Sequence, residues 1–325
     1  QRGGPAMTAP ATAAATDAAD ADTVVLPQVG ESTGQRAAEP PAGASGGASA
    51  GSPGSRGRRW VQQTGWAATL LSLLLLGFAV YLVALSPLQE MHYQAAEYQT
   101  FRYQLSQATA PVGPAADGAP VAIVDIPKIG LHHVVVVEGT TGRDLMRGPG
   151  LRRDSVLPGQ DGVSVLFGRG TAFGGPFGRI SELRVGDKIS VSTGQGQFSY
   201  TVDQYGTGGH PLTDGYPYRL VLTTGNSGWI PTGTVLVGAR LDGDPQPDPG
   251  RRPALTAADH ALAQDTGALA VLQLWSAALL AAVLAVTLAV RRWHRRAAYL
   301  AFAPVLAALL WACYENAAAL LPNLY

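Results

Sequence analysis

The chain holds one cysteine, Cys313, and six histidines, so few side chains are available for nucleophilic or acid–base chemistry. Cys313 lies inside a long apolar run with no base near it, where a thiol behaves as a small hydrophobe. A single cysteine excludes an intramolecular disulfide, and no Cys/His grouping has zinc spacing, so neither a metal nor a cofactor is expected. Glu315 and Asn316, in the stretch WACYENAAALL, place an ionisable and a polar group within the same apolar run. Such groups face a partner helix or water, or reach back to the interface. His132 and His133 open a β-rich run, one expected to pack and the other to be solvated.

These residues must be positioned by elements of a membrane protein. Of the 325 residues, 46% are hydrophobic and only 14% charged, a skew away from soluble domains. The 23 Lys+Arg balance 23 Asp+Glu, and a chain without excess positive charge lacks the surface that non-specific nucleic-acid binding needs. Residues 1–59 are rich in Ala, Gly, Pro, Ser and Thr and cannot bury enough apolar surface to offset chain entropy. They read as a disordered cytoplasmic segment. The first apolar run comes too late and is too long for a secretory signal.

Three apolar runs, 66–85, 268–290 and 297–321, each match a hydrocarbon core of roughly 30 Å at 1.5 Å per residue. Arg56, Arg58 and Arg59 precede the first; Arg291, Arg292, Arg295 and Arg296 separate the second from the third. The positive-inside rule places both clusters in the cytoplasm, so the N-terminus is inside, and residues 86–267 and the C-terminus are outside. Pro304 is tolerated in the third span, and alanines crowd the second and third, favouring close helix packing.

Residues 86–108 carry Leu88, Met91, Ala95, Tyr98 and Leu105 at helical spacing, so the first span continues outward as a helix. A Pro/Gly/Ala linker, 109–120, ends it. Within 121–241, short β-rich runs alternate with glycine turns: 121–126, 134–138, 163–167, 188–192, 197–203, 219–224 and 234–240. Seven or eight such strands predict a closed barrel or sandwich, and a Gly/Pro-rich linker, 242–267, returns the chain to the membrane.

Four stretches of this domain, IPKIGLHHVVVVEGT (126–140), LMRGPGLRRDSVLPGQDGVSVLFG (145–168), FGGPFGRISELRVGDKISVSTGQGQFSYTV (173–202) and LVLTTGNS (220–227), resemble the sortase family in order and spacing. The likeness is to its class E, actinobacterial kind. The resemblance implies a mainly β fold, a sortase-like closed barrel of seven to eight strands, carried here with three transmembrane helices. It also implies cysteine transpeptidase chemistry on surface proteins of the Gram-positive cell wall. The Ala, Gly and Arg usage of a GC-rich genome agrees with that source.

The family's chemistry needs a thiolate to attack a carbonyl, an imidazole to protonate the leaving amine, and an arginine to steady the oxyanion. By the resemblance, the histidine position is Arg169, the cysteine position is Gly225, and the arginine position is Gly233. All three roles read as vacant. Ser227 lies two residues beyond the lost nucleophile, and His210 lies in the loop before that strand. A serine needs an adjacent base, and Arg169 cannot deprotonate to be one, so Ser227 with His210 is the alternative reading: a transpeptidase or hydrolase with a non-standard site.

A groove without its nucleophile can still hold an extended peptide. The 208–218 loop lies where the family's specificity loop lies and offers Tyr216 and Tyr218 as anchors. Arg169 reads either as a fixed charge for a peptide carboxylate or as one half of a structural salt bridge. The peptide-binding candidates are Arg169, His210, Tyr216, Tyr218 and Ser227. The expected function is therefore binding or scaffolding of secreted or cell-wall proteins, with other membrane proteins met through the helices. The 86–108 helix and the 242–253 linker are the segments that could cover the groove.

Overall fold

The computed structural model describes residues 54–213, 215–226, 230–250, 253–292 and 295–325. The segment expected to be disordered lies outside the described residues except for its last six, which already belong to a helix. That helix, α1 (Gly54–Val80), passes through one π-helical turn, Tyr81–Leu85, into α2 (Ser86–Ser106). The π turn sits where Pro87 follows: proline donates no backbone hydrogen bond, and the widened turn carries the rod past that gap.

The barrel has eight strands: β1 (Pro120–Ile126), β2 (Leu131–Glu138), β3 (Gly150–Leu151), β4 (Val163–Phe167), β5 (Lys188–Thr193), β6 (Gly196–Thr207), β7 (Arg219–Gly225) and β8 (Thr234–Leu241). They close in the order β1-β2-β3-β4-β7-β8-β6-β5. The β2/β3 and β4/β7 pairs are parallel and the rest antiparallel, so the barrel is mixed. Seven of the strands coincide with the runs read from the sequence. The eighth, β3, is two residues long and too short to show a period.

Alternation along each strand sends one parity inward. Leu166 of β4, Leu220 and Leu222 of β7, and Val237 and Ala239 of β8 join the barrel interior with Val124, Ile189 and Tyr200. The opposite parity of β4 and β7 is buried too. Val165, Phe167 and Val221 form a second apolar cluster on the outer face. Every residue of β7 is buried, so something must cover its outside.

Helix α2 docks on β1 and β2. Gln94 accepts from the Val135 amide (2.7 Å) and donates to the Val135 and Arg147 carbonyls (3.0 and 2.7 Å). Phe101, fully buried, packs with Ile123 and Val135. The 86–108 helix therefore braces the barrel wall. Two further helices, α3 (Ala268–Arg292) and α4 (Arg295–Ala319), complete the chain. The rod from Gly65, α3, and α4 from Leu300 are each long and apolar enough to cross a membrane. Leu70, Leu76, Leu280, Leu284 and Leu300 are exposed large apolar side chains, a pattern that suits a lipid-facing helix surface.

Candidate functional site

The parallel pairing of β4 with β7 sets Phe167 beside Thr223 and carries both strand ends to one point. There the Gly168 amide donates to the Thr223 carbonyl (3.0 Å), and the Thr224 hydroxyl donates to the Gly168 carbonyl (2.9 Å). Antiparallel β8 brings Thr234 opposite Gly225. Asn226 then closes the corner: its amide donates to the Gly233 carbonyl (2.8 Å), and its Oδ1 accepts from the Gly233 and Thr232 amides (3.1 and 3.0 Å). Arg169, Gly225 and Gly233, far apart in sequence, thus meet at one end of the β4/β7 face.

Arg169 is completely buried. Its Nε donates to the Leu145 carbonyl (3.2 Å), its Nη2 donates to the Gly142 carbonyl (2.8 Å), and the guanidinium lies 4.9 Å from the Phe173 ring centre. Nη1 has no partner among the described residues. Burial pushes the Arg169 pKa down to about 10, and no carboxylate among the described residues pairs with it. The guanidinium is held by carbonyl dipoles and a ring, neither offered to a groove nor bound in a salt bridge.

The end of the face where Arg169, Gly225 and Gly233 meet is filled by the chain itself. After α4, residues 320–325 return to the barrel, and Leu324, fully buried, inserts among Leu145, Val165, Phe167 and Val221. Main-chain bonds fix it: Gly170 N to Leu324 O (3.1 Å) and Ala172 N to Tyr325 O (3.4 Å). The Asn323 amide group donates to the carbonyls of Thr140 (2.8 Å) and His260 (2.9 Å). A Cβ at Gly225 would stand 2.9 Å from the Leu324 carbonyl oxygen and 2.7 Å from Pro231 Cβ. No side chain fits there without movement.

A strap over residues 256–263 lies under this segment and accounts for the rest of the cover. Leu262 joins the same outer cluster at φ +62°, a conformation that leucine keeps only when its surroundings impose it. Asp259 ties the strap down: it accepts from the Thr256 amide (2.9 Å) and hydroxyl (2.6 Å) and from Arg153 Nε (3.2 Å), while its own carbonyl accepts from the Thr140 hydroxyl (2.8 Å). Among the described residues, then, it is 256–263 and 323–325 that cover the face, while the 86–108 helix lies on β1 and β2.

Burial alone would raise the Asp259 pKa. The Thr256 hydrogen bonds and the Arg153 charge outweigh it and hold the carboxyl below its ordinary value. A depressed carboxylate stabilises the fold above its unfolded pKa and loses that contribution as pH falls through the folded value. The strap is therefore expected to stay closed across neutral and mildly acidic pH and to loosen only below the ordinary carboxylate range. Asp259→Asn should loosen it at neutral pH, by about 1–3 kcal/mol, and the difference from wild type should vanish in acid. Hydrogen exchange at Asn323, whose amide donates to the Ala263 carbonyl, reads the difference.

Beyond Leu324 the face stays open. A cavity of about 490 Å³ lies between the strands and the 208–218 loop, lined by Val163, Leu212, Tyr216, Pro217, Val221 and Leu236. Arg219 also lines it, 6% exposed, donating to the Thr213 carbonyl (3.1 Å) and pairing with Asp203 (3.4 Å). Its Nε has no partner among the described residues. A charged residue opening an otherwise apolar strand was the sequence signal for it. Tyr216 is exposed, with Arg240 over its ring at 5.5 Å, and Tyr218 is half-buried. His210 is exposed at the turn that β6 makes with this loop, bonded through its backbone to Thr207. Ser227 lies outside the described residues.

Glu315 and Asn316 sit away from this face, near the barrel-side end of α4. Glu315 accepts from Gln89 (3.2 Å), and Gln89 accepts from the Tyr81 hydroxyl (2.8 Å). Asn316 donates back to the Ala312 carbonyl (2.8 Å) and accepts from Arg143 (3.3 Å). Neither polar group faces lipid alone.

Residues 124–212 match the family model of the Sortase domain, ending just short of β7. Sortase D of Bacillus subtilis is 37% identical over 86 residues, which cover 26% of this chain and 41% of that relative. The matched stretch thus spans under half of that relative. Among solved structures, the chain is similar to a Clostridium perfringens Sortase D5 transpeptidase: TM-score 0.41, 21% identity, 47% of this chain and 99% of that one. It is also similar to sortase E from Streptomyces avermitilis: TM-score 0.35, 28% identity, 40% of this chain and 91% of that one. With the family match lying across β1 to β6 and the eight strands closed into one barrel, the domain that this chain carries is a sortase-family domain.

Proposed function

We propose that the chain is a membrane-anchored, catalytically inactive member of that family, which binds and scaffolds secreted or cell-wall proteins. The observation that carries inactivity is at Gly225: the position that would hold a nucleophile abuts the Leu324 carbonyl and Pro231. Beside it, Arg169 stands where the proton donor would, and even with its pKa pushed down to about 10 the guanidinium stays charged and donates no proton at neutral pH. Binding is carried by the open end of the same face. An apolar cavity under a loop with two prolines and exposed Tyr216, with a spare N–H on buried Arg219, suits one apolar side chain of an extended peptide and an adjacent carbonyl. The arginine clusters beside the spans support a topology with the N-terminus in the cytoplasm and the barrel outside.

Photocrosslinking in cells tests this reading. A probe at Gly225 is expected to capture the chain's own residues 322–325, and a probe at Leu212 to capture a secreted or cell-wall protein. Capture at Leu212 should fall about tenfold in Tyr216→Ala with Arg219→Gln, the effect of losing one buried anchor. Cleavage or transfer of a sorting-signal peptide by the purified chain would overturn inactivity. Labelling by a serine-reactive probe that disappears in Ser227→Ala would do the same.

A further inference from the structure

A second cavity, of about 250 Å³, opens where the barrel meets the helices. Its lining comes from four elements: Tyr93 of α2, Arg143 and Arg147 of the turn after β2, Trp275 of α3, and Glu315 and Asn316 of α4. The volume equals that of about eight liquid waters, room for a small polar group. Trp275 lies two turns into α3 from its barrel-side end, and Glu315 one turn from the end of α4. If these helices cross a bilayer in either direction, this level is a membrane–water interface, where Trp and Tyr rings are at home.

The cavity is ordered by charge. Arg143 and Arg147 stand one turn apart and face it together. Arg143 is exposed and spends one donor on Asn316 (3.3 Å). Arg147 stacks on Tyr93 at 5.6 Å, makes one long bond to the Gly118 carbonyl (3.4 Å), and approaches Glu97 no closer than 3.9 Å. Each guanidinium carries five N–H donors in a planar fork, so both keep donors to spend, and that fork matches a phosphate. Glu315 lines the other side, bonded to Gln89 but in no ion pair among the described residues. Met146, Val271 and Ala319 supply the apolar part of the lining, and neighbouring side chains of α3 and α4 such as Leu274 are exposed.

We infer that this cavity binds the head group of a membrane phospholipid, with the phosphodiester on Arg143 and Arg147 and an ammonium substituent beside Glu315 and Trp275. The arrangement of two cations, one anion and an aromatic face complements a zwitterionic phosphoethanolamine head better than a head whose substituent is neutral. Asn316 gains a role in this site, since its bond holds Arg143 over the cavity.

The inference rests on the three helices crossing a membrane, and the test separates the two. The full chain is purified in detergent, offered phosphatidylethanolamine or phosphatidylglycerol, and examined by native mass spectrometry. The wild-type chain should retain one phosphatidylethanolamine in preference to phosphatidylglycerol, and millimolar inorganic phosphate should not displace it. Displacement by phosphate would mean a free-anion site and overturn the lipid assignment. Arg143→Gln with Arg147→Gln should retain about tenfold less. Arg143→Gln alone, a change at an exposed side chain that leaves the Arg147 contacts in place, should lose about threefold. Glu315→Gln should abolish the preference between the lipids without abolishing retention. Equal retention by wild type and both arginine variants overturns the site. A chain that stays in solution without detergent overturns the membrane reading instead.

Discussion

Leu324→Ala is expected to lower the stability of the barrel by about 3 kcal/mol, within the usual range for emptying a buried leucine site. Leu324 is fully buried against Leu145, Val165, Phe167 and Val221, side chains fixed by strands or by a tight turn. Such walls relax little, so most of the cavity would persist. For a unit of this size, about 3 kcal/mol corresponds to a fall in melting temperature of about 6–12 °C, readable by circular dichroism in detergent. A change below about 1 kcal/mol would mean that the segment merely rests on the barrel. The same variant should extend the open cavity along the face, since the emptied site adjoins Val221 and Leu236. Capture from a probe at Leu212 should then rise, not fall.

Gly225→Cys, which puts a thiol at the position proposed above for the missing nucleophile, is expected to give neither activity nor a reactive cysteine. The new Cβ would press on Pro231 and on the Leu324 carbonyl, an overpacking worth about 1–3 kcal/mol of lost stability. The thiol would lie under a fully buried leucine, and Arg169, whose guanidinium faces the Gly142 and Leu145 carbonyls, cannot act as its base. Alkylation by iodoacetamide, measured with Cys313→Ala to remove the background thiol, should be at least about tenfold slower than in the same variant with Leu324→Gly. Equal rates would show that the 320–325 segment does not guard the position.

The sequence made the barrel legible because its strands are short β-branched runs separated by glycine. Residues 188–192 and 234–240 show it best, and only the two-residue β3 fell below the length at which a period can be seen. The convergence of Arg169, Gly225 and Gly233 was readable only through the family pattern, since nothing local in 168–170 or 223–226 signals the other. The covering segments were not legible at all. Leu324 and Leu262 look like any leucines beside a membrane helix, and what places them on β7 is a contact made across the whole α3–α4 hairpin. The trace that did exist lay in β4 and β7, where Val165, Phe167 and Val221 are apolar on the parity that a solvent-facing strand would make polar. Arg169 misled for a related reason: an arginine in a motif loop reads as a charge for a peptide or for a salt bridge, whereas here the Gly142 and Leu145 carbonyls, before and within a 3-10 turn, accept its hydrogen bonds.

The position of Leu324 along the chain bears on the order in which the molecule is made. All eight strands have been synthesised once Leu241 has emerged, yet the outer face of β7 receives its last leucine only after two more helices. At about 5–20 residues per second the delay lasts some seconds. During that interval Val165, Phe167 and Val221 have only the strap to shelter them. A nascent chain whose α3–α4 hairpin fails to pack would never cover them, and that uncovered apolar strip is the kind of surface that quality-control proteases recognise. Packing of the last two helices and a finished barrel are thereby made one event.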